Sequence, residues 1–155
     1  MKLIFLDIDG VMVTSRHFVQ SNRYFGHEFD PECIKNLKAI LDITSANIVV
    51  SSSWREGRTL KQLQSIFEIN GINKVIGMIP IIDGAIRGRE VKEYLNNTKE
   101  LGMDISAFVI IDDEEEMGEL ETYLIETEFN TGITDEIKNR VIEFFSKFEE
   151  TDGIS

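Results

Sequence analysis

The chain has 155 residues, 42% of them hydrophobic and 28% charged, which fits one globular domain with a core of its own and excludes disordered and collagen-like classes. With 28 acidic against 16 basic residues its net charge is −12, so it lacks the diffuse positive field that gathers polyanions, which argues against extended nucleic-acid binding. A nucleic-acid end held in a small pocket stays open, because one phosphate needs only a metal ion and a few donors.

The apolar run at residues 3–6 predicts a first strand and stops at Asp7, too short for the apolar stretch of a secretory signal. Residues 11–29 follow neither a helix nor a strand period and are expected to form a flap outside the sheet. His17 and His27 read as solvated surface there, while Arg16, Arg23 and Tyr24 offer donors and a stacking face. Asp30 and Pro31 supply an N-cap and a first-turn proline, and Ile34, Leu37, Ile40 and Leu41 then share one face of a helix ending near Thr44. Cys33, the single cysteine, reads as a small core residue, with no intramolecular disulfide available.

Residues 47–50 form a second buried strand that runs into Ser51, Ser52, Ser53, Trp54 and Arg55. Leu60, Leu63, Ile66 and Phe67 mark a second helix, stopped by Asn70 and Gly71, and residues 74–79 read as a weaker strand. A third helix opens at Arg87 with Val91, Tyr94 and Leu95 inward, and a strand at 107–111 delivers Asp112 and Asp113. Residues 123–125 suggest an edge strand. Thr134 then caps a last helix with Ile137, Val141, Phe144, Phe145 and Phe148 on one stripe. One domain over residues 1–148 is expected, with 149–155 as a frayed tail. No run approaches a membrane span, and a cytoplasmic location without membrane partners is the expectation.

Strands alternating with helices predict a mainly parallel sheet between helical layers. Three polar clusters follow three of the strands: Asp7-Ile8-Asp9-Gly10, Ser51-Ser52-Ser53 and Asp112-Asp113. Ligands of open α/β sheets bind at the carboxyl ends of strands. Carboxylates converging there repel one another without a cation, and Mg²⁺ is the hard ion that oxygen ligands suit. No pair among His17, His27 and Cys33 has the spacing of zinc ligands.

Residues 3–11 (LIFLDIDGV) resemble the first motif of the haloacid dehalogenase (HAD) superfamily, Val50-Ser51 its second and residues 110–113 (IIDD) its fourth. Within it, residues 51–55 (SSSWR), 87–91 (RGREV) and 131–134 (TGIT) are similar to the small standalone domains of Swiss Army Knife RNA repair proteins, with a kinship to polynucleotide 3′-phosphatases. The resemblance implies a three-layer α/β/α sandwich of Rossmann-like type, with the first strand central and no separate cap domain. It implies Asp7 as nucleophile, Asp9 as general acid and base, Ser51 as a phosphoryl hydrogen-bond donor, and Mg²⁺ held by Asp7, the Asp9 carbonyl and Asp112 or Asp113. A dehalogenase lacks an acid at position 9, so hydrolysis of a phosphoester is favoured.

The family's usual lysine before the fourth motif is absent. Arg87 takes that place by resemblance, with Arg89 and Lys92 as rivals. Gly10, Ser52, Ser53, Arg55, Arg16 and Arg23 complete the expected substrate contacts. The leading expectation is a Mg²⁺-dependent phosphomonoesterase acting on a phosphorylated substrate such as a polynucleotide 3′-phosphate end. A small-metabolite or nucleotide phosphatase, and a catalytically silent metal-binding or regulatory domain, are the alternatives.

Overall fold

The computed structural model describes residues 1–114 and 116–154, with side chains through residue 148. The tail expected at 149–155 lies wholly outside the described side chains.

β1 (Lys2–Leu6) is apolar on both faces, and from Leu3 onward it is fully buried, as a strand covered by helices on both sides must be. It pairs with β2 (Asn47–Val50) on one side and β4 (Ala107–Asp112) on the other. β3 (Val75–Met78) lies outside β2 and β5 (Leu124–Glu126) outside β4. The order β3-β2-β1-β4-β5 is wholly parallel, so the sheet expected to be mainly parallel has no antiparallel member and β1 lies at its centre. The edge strand falls one residue later than the sequence suggested.

The pleat sorts the core into two halves. Ile4, Leu6, Ile48, Val50, Val109 and Ile111 face α1 (Pro31–Thr44), α2 (Leu60–Ile69) and α4 (Asp135–Ile154). Leu3, Phe5, Val49 and Ile110 face α3 (Arg87–Glu100) and the 3₁₀ segment Gly118–Tyr123. The result is the three-layer Rossmann-like sandwich.

Local chemistry sets the helix starts. Asp30 accepts from Glu32 N at 2.9 Å ahead of Pro31, and Thr59 and Gln62 close a capping box on α2. Thr134 Oγ1 accepts from Ile137 N at 3.1 Å, the cap expected for α4. Among the described residues, no helix is long and apolar enough to cross a membrane.

The excursion at 11–29 differs from expectation in where it begins. Val11, Met12 and Val13 are fully buried, because their N–H groups turn back onto the Ile8 carbonyl at 2.8–3.1 Å while Val11 O and Met12 O accept from Ile133 N and Asp30 N. Only beyond Thr14 does the chain leave the core. It then folds on itself through Ser21 N to Gly26 O at 2.8 Å and Glu28 N to Val19 O at 2.7 Å.

Candidate active site

Asp7 follows β1, Ser51 follows β2 and Asp112 ends β4, so three neighbouring strands deliver them to one edge of the sheet. The backbone ties continue past the strands: Asp7 N donates to Ile111 O at 3.0 Å and Ser51 N to Leu6 O at 2.9 Å. The connection leaving β1 runs to β2 on one side and the connection leaving β4 runs to β5 on the other, which opens a crevice between β1 and β4 where such folds bind ligands.

Carboxylate oxygens of Asp7, Asp112 and Asp113 lie within 4.8 Å of one another. Asp7 and Asp112 are buried, and burial is the main reason that both carboxyls titrate above the usual range. The charge of Asp112 pushes Asp7 further up, and the Arg87 guanidinium opposes the rise in each. Arg87 Nη1 stands 3.7 Å from Asp7 Oδ1 and 3.5 Å from Asp112 Oδ2, charge contacts rather than hydrogen bonds.

Among the described residues, three buried side-chain polar atoms find no hydrogen-bond partner: Ser51 Oγ, Arg87 Nη1 and Asp112 Oδ2. An orphaned buried group costs about 1–3 kcal/mol, so folds rarely keep one without use. Two donors beside an orphaned acceptor suit an anion together with a cation. An all-oxygen donor set of three carboxylates fits a hard divalent ion, and the orphaned Asp112 Oδ2 is a free ligand atom for it. Gly10 makes room for the third carboxylate: its φ is +79°, and a Cβ there would lie 2.2 Å from Asp113 Oδ2.

Asp9 stands outside this cluster. Its Oδ2 accepts from Trp54 Nε1 at 3.1 Å, so its side chain is aimed separately from the three acids. Trp54 is 7% exposed and packs near Tyr24 and Phe29, which makes it a core ring with its N–H spent on Asp9.

Arg87 reaches the crevice because of what surrounds the start of α3. A Cβ on Gly88 would lie 2.1 Å from Met117 O, so the helix can seat its first turn against that backbone only with glycine there. Glu90 Oε2 accepts from Ile82 N at 2.9 Å, and its Oε1 lies 3.7 Å from Arg87 Nε. Arg89 is exposed, and Lys92, also exposed, pairs with Glu119. Of the three cations considered, Arg87 is the one beside Asp7.

Arg55 corrects the expectation of a substrate contact. Its guanidinium is buried and donates to Glu90 Oε1 at 2.7 Å, Ile79 O at 3.0 Å, Pro80 O at 2.7 Å and Ser52 O at 3.0 Å, so it is spent inside the fold. Ser52 is buried as well, and its Oγ accepts from Trp54 N; Ser53 is exposed. Arg16 and Arg23 are likewise engaged elsewhere, Arg16 with Asp30 and Thr131 O and Arg23 with Glu28. Asp30 titrates below its usual range: burial works against this, but hydrogen bonds from Arg16, Thr14 and Glu32 N prevail. These arginines fasten the flap.

Sequence reasoning missed Glu90, Thr127 and the purpose of Trp54. Thr127 is buried and its Oγ1 donates to Gly10 O at 2.6 Å, holding the turn after Asp9. The signal for Glu90 was its place in the 87–91 motif, an acid where an inward helix position asks for an apolar residue. The 131–134 motif has a supporting place: Thr131 O accepts from Cys33 Sγ and Ile133 O from Asn36 Nδ2, tying the loop after β5 to α1, while Ile133 N donates to Val11 O in the loop after β1.

Over residues 3–137 the chain matches the family described as the HAD domain in Swiss Army Knife RNA repair proteins. No curated protein matches it.

Proposed function

Because the chain belongs to the family of HAD domains in Swiss Army Knife RNA repair proteins, we propose that it is a Mg²⁺-dependent phosphomonoesterase acting on a nucleic-acid terminus such as a 3′-phosphate. The observation that carries this reading is the set of orphaned atoms, Ser51 Oγ, Arg87 Nη1 and Asp112 Oδ2, around a buried acid. Donors for a phosphoryl group and a ligand atom for a cation stand ready in the same crevice.

Asp7 attacks phosphorus with a carboxylate oxygen, and the bond to the leaving oxygen breaks as Asp9 gives that oxygen its proton. The product alcohol departs, leaving an aspartyl-phosphate on Asp7. Asp9, now a carboxylate, takes a proton from water as that water attacks the same phosphorus, which releases inorganic phosphate and restores both residues. Ser51 Oγ and the Arg87 guanidinium donate to the phosphoryl oxygens as charge gathers on them. Asp7, Asp112, Asp113 and the Asp9 carbonyl would hold Mg²⁺, which would supply the charge neutralisation that an anionic nucleophile needs to approach a dianion.

A nucleic-acid end fits the acidic chain better than a long duplex, since the site needs charge complementarity only around one phosphate. A panel of 3′- and 5′-phosphorylated oligonucleotides, nucleotides and sugar phosphates assayed with Mg²⁺ tests the reading. Highest kcat/KM on a 3′-phosphorylated oligonucleotide is expected. Preference for a sugar phosphate would favour a small-metabolite phosphatase, and inactivity on the whole panel would leave a silent binding domain.

A further inference from the structure

Beside the crevice lies a cavity of about 630 Å³ that Asp9 itself helps to line, together with Phe18, Gln20, Phe25, His27, Trp54 and Phe129. The chain has ten phenylalanines, and among the described residues the exposed ones are Phe18 at 55%, Phe25 at 87% and Phe129 at 41%. All three line this one cavity. Single exposed apolar residues are ordinary, but every exposed ring converging beside one catalytic acid marks a binding surface.

The rings come from two separate parts of the chain and are held in place. Phe18 lies 3.9 Å from the His27 ring, tilted by 33°, and 6.2 Å from Phe129 in the loop after β5. The turn carrying Phe25 rests on Trp54, since a Cβ at Gly26 would come within 2.9 Å of the indole. Arg58 pins that turn from outside: it lies 5.0 Å above the Trp54 ring and donates to the carbonyls of Trp54 and Phe25. A surface fixed in this way loses little freedom on binding.

The occupant follows from the chemistry of Asp9, and this step rests on the phosphomonoesterase reading. The group that protonates the leaving oxygen must stand on the leaving-group side, so the part of the substrate that departs lies against the cavity Asp9 lines. We propose that this cavity is a stacking subsite for the terminal nucleobase of the departing nucleoside, with Phe18 and Phe129 as its platform and Gln20 at its polar edge. Base stacking on aromatic rings tolerates any base, so the subsite selects for a nucleoside rather than for a sequence.

The test is a fluorescence titration of wild-type protein in chelator with 2-aminopurine riboside, the departing part of the substrate without its phosphate, where binding is read without turnover and without the metal. Saturable quenching is expected. Phe18→Ala and Phe129→Ala should each weaken it by about tenfold or more, and Phe18→Leu, which keeps apolar bulk without a ring face, should behave like Phe18→Ala. Unaltered circular dichroism shows that the surface variants fold. No quenching by the wild type, or unchanged affinity in the variants, overturns the subsite, as does tighter competition by a tyrosine-containing peptide than by unlabelled adenosine. With Mg²⁺ added, wild-type selectivity for a nucleoside 3′-phosphate over abasic ribose 3-phosphate should collapse in Phe18→Ala. Quenching that depends on both rings, without hydrolysis of any ester, would sink the phosphatase reading while leaving the base subsite standing.

Discussion

Trp54 Nε1 donates to Asp9 Oδ2 at 3.1 Å, joining the loop after β2 to the acid that follows β1. Trp54 is 7% exposed, and its indole N–H fixes one carboxylate oxygen of Asp9 and leaves the other for proton transfer. A residue that orients a general acid matters most when the leaving group needs a proton.

Trp54→Phe should therefore lower kcat/KM, which reports the step that expels the leaving group, by roughly tenfold on an alkyl phosphate and much less on p-nitrophenyl phosphate. A series of phosphate esters of graded leaving-group basicity checks this. A uniform fall across the series would reduce Trp54 to packing.

Arg55 and Glu90 make a buried ion pair at 2.7 Å, and the same carboxylate lies 3.7 Å from Arg87 Nε. Glu90→Ala leaves the Arg55 charge buried without its partner and should cost about 3–5 kcal/mol of stability. The milder Glu90→Gln should keep the fold yet lower kcat by loosening Arg87. Direct removal in Arg87→Ala should cost roughly two to three orders of magnitude in kcat, against small losses for Arg89→Ala and Lys92→Ala. Steady-state kinetics of the set decides it, and a larger loss for Lys92→Ala would remove Arg87 from its role.

Burial first, and then the neighbouring Asp112 charge, raises the Asp7 carboxyl above the usual range of about 4. The unfolded chain gives up this proton near its ordinary pKa and the folded, metal-free protein only at higher pH. Above pH 4 the unfolded state thus binds fewer protons, and stability falls as pH rises toward the folded pKa. In excess chelator at pH 7, Asp7→Asn should melt several degrees above the wild type, and the gap should close toward pH 4. Thermal melts of the two proteins across that range measure it. A variant that melts lower, or a gap that does not shrink with acid, would show that the acids are not held in conflict.

The strand ends were legible because a run of four buried apolar residues stopping at Asp7 has one physical reading, and because Asp30-Pro31 states a helix start in local chemistry. Arg55 was misread for the opposite reason. Nothing within a few residues of it says that its partner is Glu90, 35 positions later, or that Ile79 and Pro80 turn their carbonyls toward it. The Trp54 contact with Asp9 spans 45 positions and was equally hidden. The start of the flap looked aperiodic because Val11, Met12 and Val13 are buried by a tight turn rather than by a helix or strand, and a turn leaves no repeat to find.

The account stands on Asp7 as the residue that carries the phosphoryl group. An Asp9→Asn variant turning over p-nitrophenyl phosphate, whose leaving group departs without a proton, retains the first step and is slowed in the second, which needs a base. Acid quenching followed by peptide mass spectrometry should then find one phosphoryl group on Asp7, formed only when Mg²⁺ is present and absent from the Asp7→Asn control. Nitrophenol release with no phosphoryl group on the protein, or with the group on a residue other than Asp7, would contradict it.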